Sequence, residues 1–109
     1  MKLQLNIKNF EMTPYMNEHW EIGLAKIKKQ LLHFPEDTLS LHAKLEKHHK
    51  TNSLHTSLTL FLASQILHAE KDHIDPLKSM TLGFQDLLRQ VQKHKSRLRK
   101  ESDYHSEKV

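Results

Sequence analysis

Hydrophobic residues in this chain switch between two spacings, and the switching constrains the fold more than any other feature of the sequence. Apolar and polar side chains alternate over residues 3–7, 39–45 and 58–62, as they do in strands with one buried face. Over residues 14–34 and 77–100, apolar side chains recur every three to four positions, which is the period of an amphipathic helix. The spacing therefore predicts strands and helices in a defined order along the chain.

Prolines mark the boundaries of both predicted helices. Each helix begins with a proline that follows a capping residue, at Thr13-Pro14 and at Asp75-Pro76, and Pro35 ends the first helix. Proline is favourable at a first helical position because the N–H that it lacks has no partner there. Residues 66–70 are placed as the return arm of a hairpin, since the two-residue link Ser64-Gln65 separates them from the preceding strand. The predicted order is β-α-β-β-β-α.

The expected fold class is α+β, with a four-stranded sheet and two helices packed on one face. That face carries Leu3, Leu41 and Leu60. A chain of 109 residues suits one domain, which we assign to residues 1–100. The second helix is expected to end with the domain and to project beyond the sheet by its C-terminal third. Residues 101–109 have no apolar periodicity and are expected to form a flexible polar tail.

Composition excludes several classes of protein. The chain has no cysteine, so it has no disulfide, no thiolate metal ligand and no cysteine nucleophile. It contains no apolar run of the roughly 20 residues that cross a bilayer, and its N-terminus alternates where a signal peptide would be continuously apolar. We therefore expect a cytoplasmic protein that is not inserted in a membrane.

The basic residues are concentrated near the C-terminus. Six of the 17 lysines and arginines lie between residues 89 and 100, where there is no acidic residue. On a helical wheel Arg89, Lys93, Arg97 and Lys100 fall within about 80° of one another, opposite the apolar stripe. Like charges four residues apart destabilise a helix by a few tenths of a kcal/mol per pair, so a structural helix gains nothing from them. The run is compatible with an ordinary solvated face, but it favours a phosphate-rich partner.

Other basic residues extend this candidate surface. Lys26 and Lys29 lie three residues apart on one flank of the first helix, and His94 and Lys95 lie within the basic run. No tight turn precedes a helix that could enter a DNA groove, whereas a broad charged face suits the shape of folded RNA. The expected RNA-binding residues are Lys26, Lys29, Arg89, Lys93, His94, Lys95, Arg97 and Lys100.

The sequence offers little support for catalysis or for a metal. Three of the ten histidines, His48, His49 and His55, surround one hairpin, but the chain has no His-x-x-x-His pair. We interpret them as exposed polar residues and expect no metal and no cofactor. The two glycines lie within predicted helices, so no phosphate-binding loop is present, and no nucleophile and base are arranged for an enzyme. Phe61 is on the outward phase of its strand.

Several segments of the sequence resemble a known family. The segment from Leu87 to Leu98 is the most specific, and Ala25–Lys29, Leu45–Lys47 and Leu67–Ala69 add to it, together with the opening strand. Over residues 2–100 the chain resembles the short form of the ribosome hibernation promoting factor family, also called the sigma-54 modulation protein family. It departs from the family pattern at Leu77 and Thr81, where an aromatic residue and an acid are usual, and it lacks the usual glycine between its last two strands.

The resemblance implies a fold similar to a double-stranded-RNA-binding domain and a role in translation. Members of the family bind small-subunit rRNA in the decoding channel, block the messenger and transfer RNA sites, and silence ribosomes in stationary phase or stress. The implied contacts are Lys26, Lys29, Arg89, Lys93, Lys95 and Arg97. The expected partner is thus the small ribosomal subunit and not DNA or a membrane, and the protein is expected to be monomeric away from the ribosome.

Two other functions are compatible with the same residues. One is a general structured-RNA-binding protein of similar fold, which free duplex RNA would displace from ribosomal subunits. The other is a protein-interaction module whose basic helix docks on an acidic partner or an anionic membrane surface.

Overall fold

The computed structural model describes the backbone of residues 1–107 and the side chains of residues 1–99. The predicted order β-α-β-β-β-α is confirmed. The elements are β1 Lys2–Lys8, α1 Pro14–Gln30, β2 Ser40–His48, β3 Ser53–Phe61, β4 Ile66–His73 and α2 Pro76–Glu107, with a short 3-10 turn at Glu36–Thr38.

The four strands form one sheet in the order β1-β2-β3-β4. β1 is parallel to β2, and the other neighbours are antiparallel. α1 makes the crossover that two parallel neighbours require. Leu3 aligns with Leu41 and Leu41 aligns with Leu60, so the three residues share the face on which the helices pack, as predicted. Leu41 is fully buried but Leu3 is 41% exposed, because β1 is an edge strand at the margin of the helical layer.

Both helices begin at the predicted caps. The Met16 amide donates a hydrogen bond to Thr13 Oγ1 at 3.1 Å, and the Leu77 amide donates one to Asp75 Oδ1 at 3.0 Å. Each cap therefore satisfies one of the amides that a helix start leaves unpaired. α1 ends at Gln30, and the partly buried Phe34 packs on the core from the segment that follows.

The ends of several elements differ from the prediction. The prediction that Pro35 ends the first helix is wrong: α1 ends at Gln30, and the Leu31 and Phe34 amides donate to carbonyls three residues earlier, which tightens the chain into turns before the proline. β3 begins at Ser53 instead of residue 58, and the link between β3 and β4 is four residues long, closed by a hydrogen bond from the Leu62 amide to the Gln65 carbonyl at 2.8 Å. The predicted two-residue link is therefore wrong, because Leu62 and Ala63 leave the ladder before the turn. α2 ends at Glu107 and not near residue 100, so the helical backbone continues through most of the segment that was predicted to be a tail. The flexibility predicted for residues 101–109 stays a prediction, and residues 108–109 lie outside the described residues.

The two helices approach closely where they cross the sheet. The rings of Trp20 and Phe84 lie 5.0 Å apart, centroid to centroid, and both residues are almost fully buried. A β-carbon on Gly23 would overlap the ring of Phe84, so α1 needs a glycine at this point. The glycine that the sequence places inside a helix is therefore a contact requirement of the helix pair.

A buried hydroxyl pair joins α2 to the sheet. Thr56 and Ser79 are fully buried, and their hydroxyl oxygens lie 2.8 Å apart. Ser79 Oγ also donates to the Leu54 carbonyl at 2.8 Å, which leaves its lone pairs free to accept from Thr56. The pair thus satisfies two polar groups that burial would otherwise leave unpaired.

Replacing Ser79 with alanine is expected to lower the free energy of unfolding by about 1–3 kcal/mol, because the Thr56 hydroxyl loses its acceptor while it stays buried. Urea denaturation followed by circular dichroism measures the change. The double variant Ser79→Ala with Thr56→Val is expected to recover part of the loss, since removing both partners leaves no orphaned hydroxyl. A double variant less stable than Ser79→Ala would contradict this role of the pair.

Candidate nucleic-acid interface

The basic residues of α2 lie on two sides of the helix. Arg89, Lys93 and Arg97, here called the basic flank, follow the side of α2 next to β4, and all three are exposed. The orientation is fixed by Gln90 of α2, whose Nε2 donates to the His68 carbonyl of β4 at 2.7 Å. The wheel prediction that these three side chains share one face is consistent with this placement. Lys100 would continue the flank, but its side chain lies outside the described residues.

A shallow depression separates the basic flank from the β3–β4 link. Its volume is about 170 Å³. The residues that line it are Gln65, Leu67, Gln90, Lys93, His94 and Arg97. Lys93, Arg97 and the exposed amide of Gln65 thus converge on a concave surface, and such donors suit phosphate oxygens, whereas the Gln90 amide already donates to the His68 carbonyl. Neither glutamine was identified from the sequence, because an isolated Gln has no motif and the contact depends on how α2 crosses β4.

Arg89 differs from the other two members of the basic flank. Its guanidinium donates a hydrogen bond to Asp86, three residues earlier on the helix, and the two groups form an ion pair. The hydrogen bond from Arg89 is the main reason that the pKa of Asp86 lies below its ordinary value. Within the side chains of residues 1–99, Lys93 and Arg97 have no acidic partner in an ion pair. The strongest uncompensated charge of the flank therefore lies at Lys93 and Arg97.

Replacing Arg89 with glutamine is expected to raise the pKa of Asp86 toward its ordinary value, because the charged hydrogen-bond donor is removed. A carboxyl group with a lowered pKa stabilises the fold at any pH above its ordinary pKa, and this contribution is lost as the pH falls through the folded-state pKa. The variant lacks the contribution. NMR titration of the Asp86 carboxyl carbon measures the shift. An unchanged pKa in the variant would show that Arg89 does not hold the carboxylate.

His94 lies on α2 next to Lys93, and its side chain packs against Phe34. Its ring stacks on Phe34, with 6.3 Å between centroids and 23° between planes, and its Nε2 is buried without a hydrogen-bond partner among the described residues. The side chain is half-buried, so packing against Phe34 occupies much of its surface. Its role as a phosphate donor stays a prediction.

Lys95 lies on the other side of α2, toward α1. Its Nζ donates to Gln30 Oε1 at 3.4 Å across the two helices. A groove of about 240 Å³ runs between the helices there. The residues that line it are Gln30, Gln92, Lys95, Ser96 and Arg99. The eight expected contacts therefore do not form one stripe, because Lys95 belongs to this groove and not to the basic flank.

The two lysines of α1 are exposed. Lys26 lies one turn before Gln30 on the flank that faces the groove, and Lys29 lies farther round toward solvent. Lys26 can therefore extend the charge of the groove, while Lys29 is separated from it. Their contact with RNA stays a prediction.

The open face of the sheet carries the outward residues. Phe61 lies there, as predicted, and its ring packs 4.8 Å from that of His42, centroid to centroid. No helix within the described residues is long and apolar enough to cross a membrane.

Fold and surface together define a small α+β domain with cationic side chains gathered around one long helix. A family model described as sigma 54 modulation protein / S30EA ribosomal protein matches residues 3–99. Because the match spans most of the chain, the protein belongs to this family, and the resemblance found in its sequence is confirmed. None of the curated proteins has a sequence that matches this chain.

Solved structures show the same fold. A ribosomal subunit interface protein from Coxiella burnetii superposes with a TM-score of 0.64 at 18% identity, covering 88% of this chain and 99% of that one. The N-terminal domain of Protein Y from Thermus thermophilus superposes with a TM-score of 0.67 at 17% identity, covering 86% of this chain and 99% of that one. The α+β architecture is thus common to this chain and both proteins.

Proposed function

We propose that the protein is a ribosome hibernation factor that binds small-subunit rRNA in the decoding channel. Bound there, it excludes messenger and transfer RNA by occupying their sites, and it catalyses no reaction. The proposal fits a cytoplasmic protein that acts under stress or in stationary phase. Membership of a family that includes ribosomal proteins supports ribosome binding, and one neighbour of similar fold is described as a subunit interface protein.

The observation that carries the proposal is the basic flank of α2. Lys93 and Arg97 are exposed and have no acidic partner among the side chains of residues 1–99, although a helix alone would be more stable with mixed charges. An exposed unpaired cation contributes to a complex by neutralising a phosphate and releasing counterions. Beside them, the exposed amide of Gln65 adds a neutral donor to the depression. Charge and donors together suit an RNA backbone.

A rigid support makes steric blocking physically reasonable. Gln90 ties α2 to β4, and Ser79 ties the start of the helix to β3. The backbone of the basic flank is therefore held on the packed core, so only the side chains have to be ordered when RNA binds, which limits the entropic cost. A rigid body in the channel competes with any ligand that needs the same space.

Co-sedimentation with purified small ribosomal subunits over a salt series tests the proposal. We expect saturable binding of one protein per subunit that weakens with salt and resists excess duplex RNA. Displacement by duplex RNA would instead indicate a general structured-RNA-binding protein, and no binding at low salt would contradict ribosome association.

A second assay tests the blocking step. Subunits saturated with the protein are expected to retain less labelled messenger and transfer RNA on a filter than free subunits. Full retention of both RNAs by saturated subunits would contradict occlusion of the channel while leaving ribosome binding intact.

A further inference from the structure

The sheet face opposite the helices carries a row of histidines that the proposed function does not use. The outward positions of β2, β3 and β4 align across the sheet, with His48 opposite Ser53 and His55 opposite Asp72. The histidines on this face are His42, His48, His55 and His68.

A chain of polar contacts orders one end of this row. His55 Nδ1 lies 2.9 Å from Asp72 Oδ1, and His55 Nε2 lies 3.8 Å from Glu70 Oε1. Glu70 Oε1 is also 3.1 Å from His68 Nε2, and His68 Nδ1 is 2.8 Å from Thr59 Oγ1. The imidazole of His55 is thus placed between two carboxylates, and the second carboxylate is itself held by a hydrogen-bonded histidine.

His48 brings a second imidazole to the same place. Its ring lies 5.8 Å from that of His55, centroid to centroid, in an edge-on arrangement. Within the described side chains, one ligand atom each from His48, His55 and Asp72 lies within 4.8 Å of the other two. The three residues come from three neighbouring strands whose register the backbone ladder fixes.

We propose that His48, His55 and Asp72 form a binding site for a divalent transition metal, with zinc as the favoured ion. Two imidazoles and one carboxylate are a donor set that suits Zn²⁺, whereas Ca²⁺ and Mg²⁺ prefer oxygen ligands throughout. Three protein ligands leave a fourth position for water on this exposed face.

The distances allow the metal to enter with small movements. Zinc bonds of about 2.0–2.1 Å in a tetrahedral site place ligand atoms roughly 3.4 Å apart. The closest pair, His55 Nδ1 and Asp72 Oδ1, needs to open slightly from 2.9 Å. The metal needs an unprotonated Nδ1, so the single ring proton of neutral His55, which Nδ1 donates to Asp72, moves by way of solvent to Nε2. His48 is exposed and can rotate inward to close the site.

Glu70 has a defined place in this site as a positioning residue. With Nδ1 of His55 on the metal, the opposite nitrogen Nε2 carries the proton and faces the Glu70 carboxylate. A carboxylate on the far nitrogen of a ligating histidine fixes its tautomer and its orientation. The contact between Glu70 and His68 holds that carboxylate in turn.

Isothermal titration of the full chain with zinc chloride tests the site. We expect one zinc per chain, and the largest losses of affinity in His48→Gln and in Asp72→Asn, because each removes a ligand. Glu70→Gln, which removes a positioning group and no ligand, is expected to lose about tenfold. The matched control is His49→Gln, which removes an exposed imidazole from the same turn and is expected to bind zinc like the unmodified chain.

Cobalt substitution identifies the ligands independently of affinity. The unmodified chain with one equivalent of Co²⁺ is expected to show the visible absorption of a low-coordinate N/O site, which His48→Gln and Asp72→Asn abolish and His49→Gln keeps. Circular dichroism of each variant establishes that it is folded. Absence of zinc binding, or unchanged binding in both His48→Gln and Asp72→Asn, would overturn the site.

Discussion

Replacing Arg89, Lys93 and Arg97 together with glutamine is expected to weaken binding to the small ribosomal subunit about 100-fold at moderate salt. We assign about 1 kcal/mol to each charge-assisted hydrogen bond from an exposed side chain, so the three substitutions remove about 3 kcal/mol of binding free energy. Since about 1.4 kcal/mol corresponds to tenfold in affinity, the loss is about 100-fold. The same variant is expected to reduce the steepness of the salt dependence by about 1 for each phosphate that is no longer neutralised. Co-sedimentation over a salt series measures both quantities.

The three residues of the basic flank are not expected to contribute equally to this loss of affinity, because only Arg89 is in an ion pair within the side chains that the structure describes. Arg89 already donates to Asp86, and breaking that pair offsets part of what binding a phosphate would gain. Single glutamine variants at Lys93 and Arg97 are therefore expected to weaken binding more than the Arg89 variant does. If all three single variants lose the same affinity, Asp86 does not compensate Arg89 in the complex.

A matched control separates the basic flank from net charge. Lys2, Lys8 and Lys50 are exposed on β1 and on the β2–β3 turn, and none of them belongs to the basic flank. Replacing these three with glutamine removes the same charge and is expected to change affinity by less than about threefold. Equal losses in the two triple variants would mean that charge alone, and not the flank, governs binding.

The periodicity of the sequence was sufficient to predict the order and faces of the elements, because one side of each strand and helix has to be apolar to be buried. It failed at the start of β3. Leu54 and Thr56 are both buried there, but a polar threonine at an inward position interrupts the apolar alternation. The hydroxyl is tolerated because Ser79 reaches it from α2, and a contact between residues 23 positions apart has no local signal.

The position of the basic flank could be predicted from the sequence, but most contacts of its side chains and of their neighbours could not. A helical wheel locates the flank because α2 is regular, but it contains no information about which side of the helix faces α1 or β4. The separation of Lys95 from the flank and the stacking of His94 on Phe34 both depend on that packing. The pairing of Arg89 was within reach, since Asp86 stands three residues before it on the same helix.

Replacing Trp20 with alanine is expected to lower the free energy of unfolding by about 3–5 kcal/mol, which is a large part of the stability of a small domain. Trp20 is 1% exposed and lies against Phe84, so the substitution removes a large apolar surface and leaves a cavity between the helices. The close approach of Gly23 to Phe84 limits how far α2 can move to fill that cavity. Thermal unfolding is expected to shift down by about 15–25 °C.

The control for this loss lies on the same helix. Tyr15 is 62% exposed, and replacing it with alanine is expected to change stability by less than about 0.5 kcal/mol. At a temperature where the Trp20 variant remains folded, its affinity for the small subunit is also expected to fall, because the Trp20–Phe84 contact holds together the two helices that carry Lys26 and Lys95. A folded Trp20 variant with full affinity would show that the basic flank binds without the helix groove.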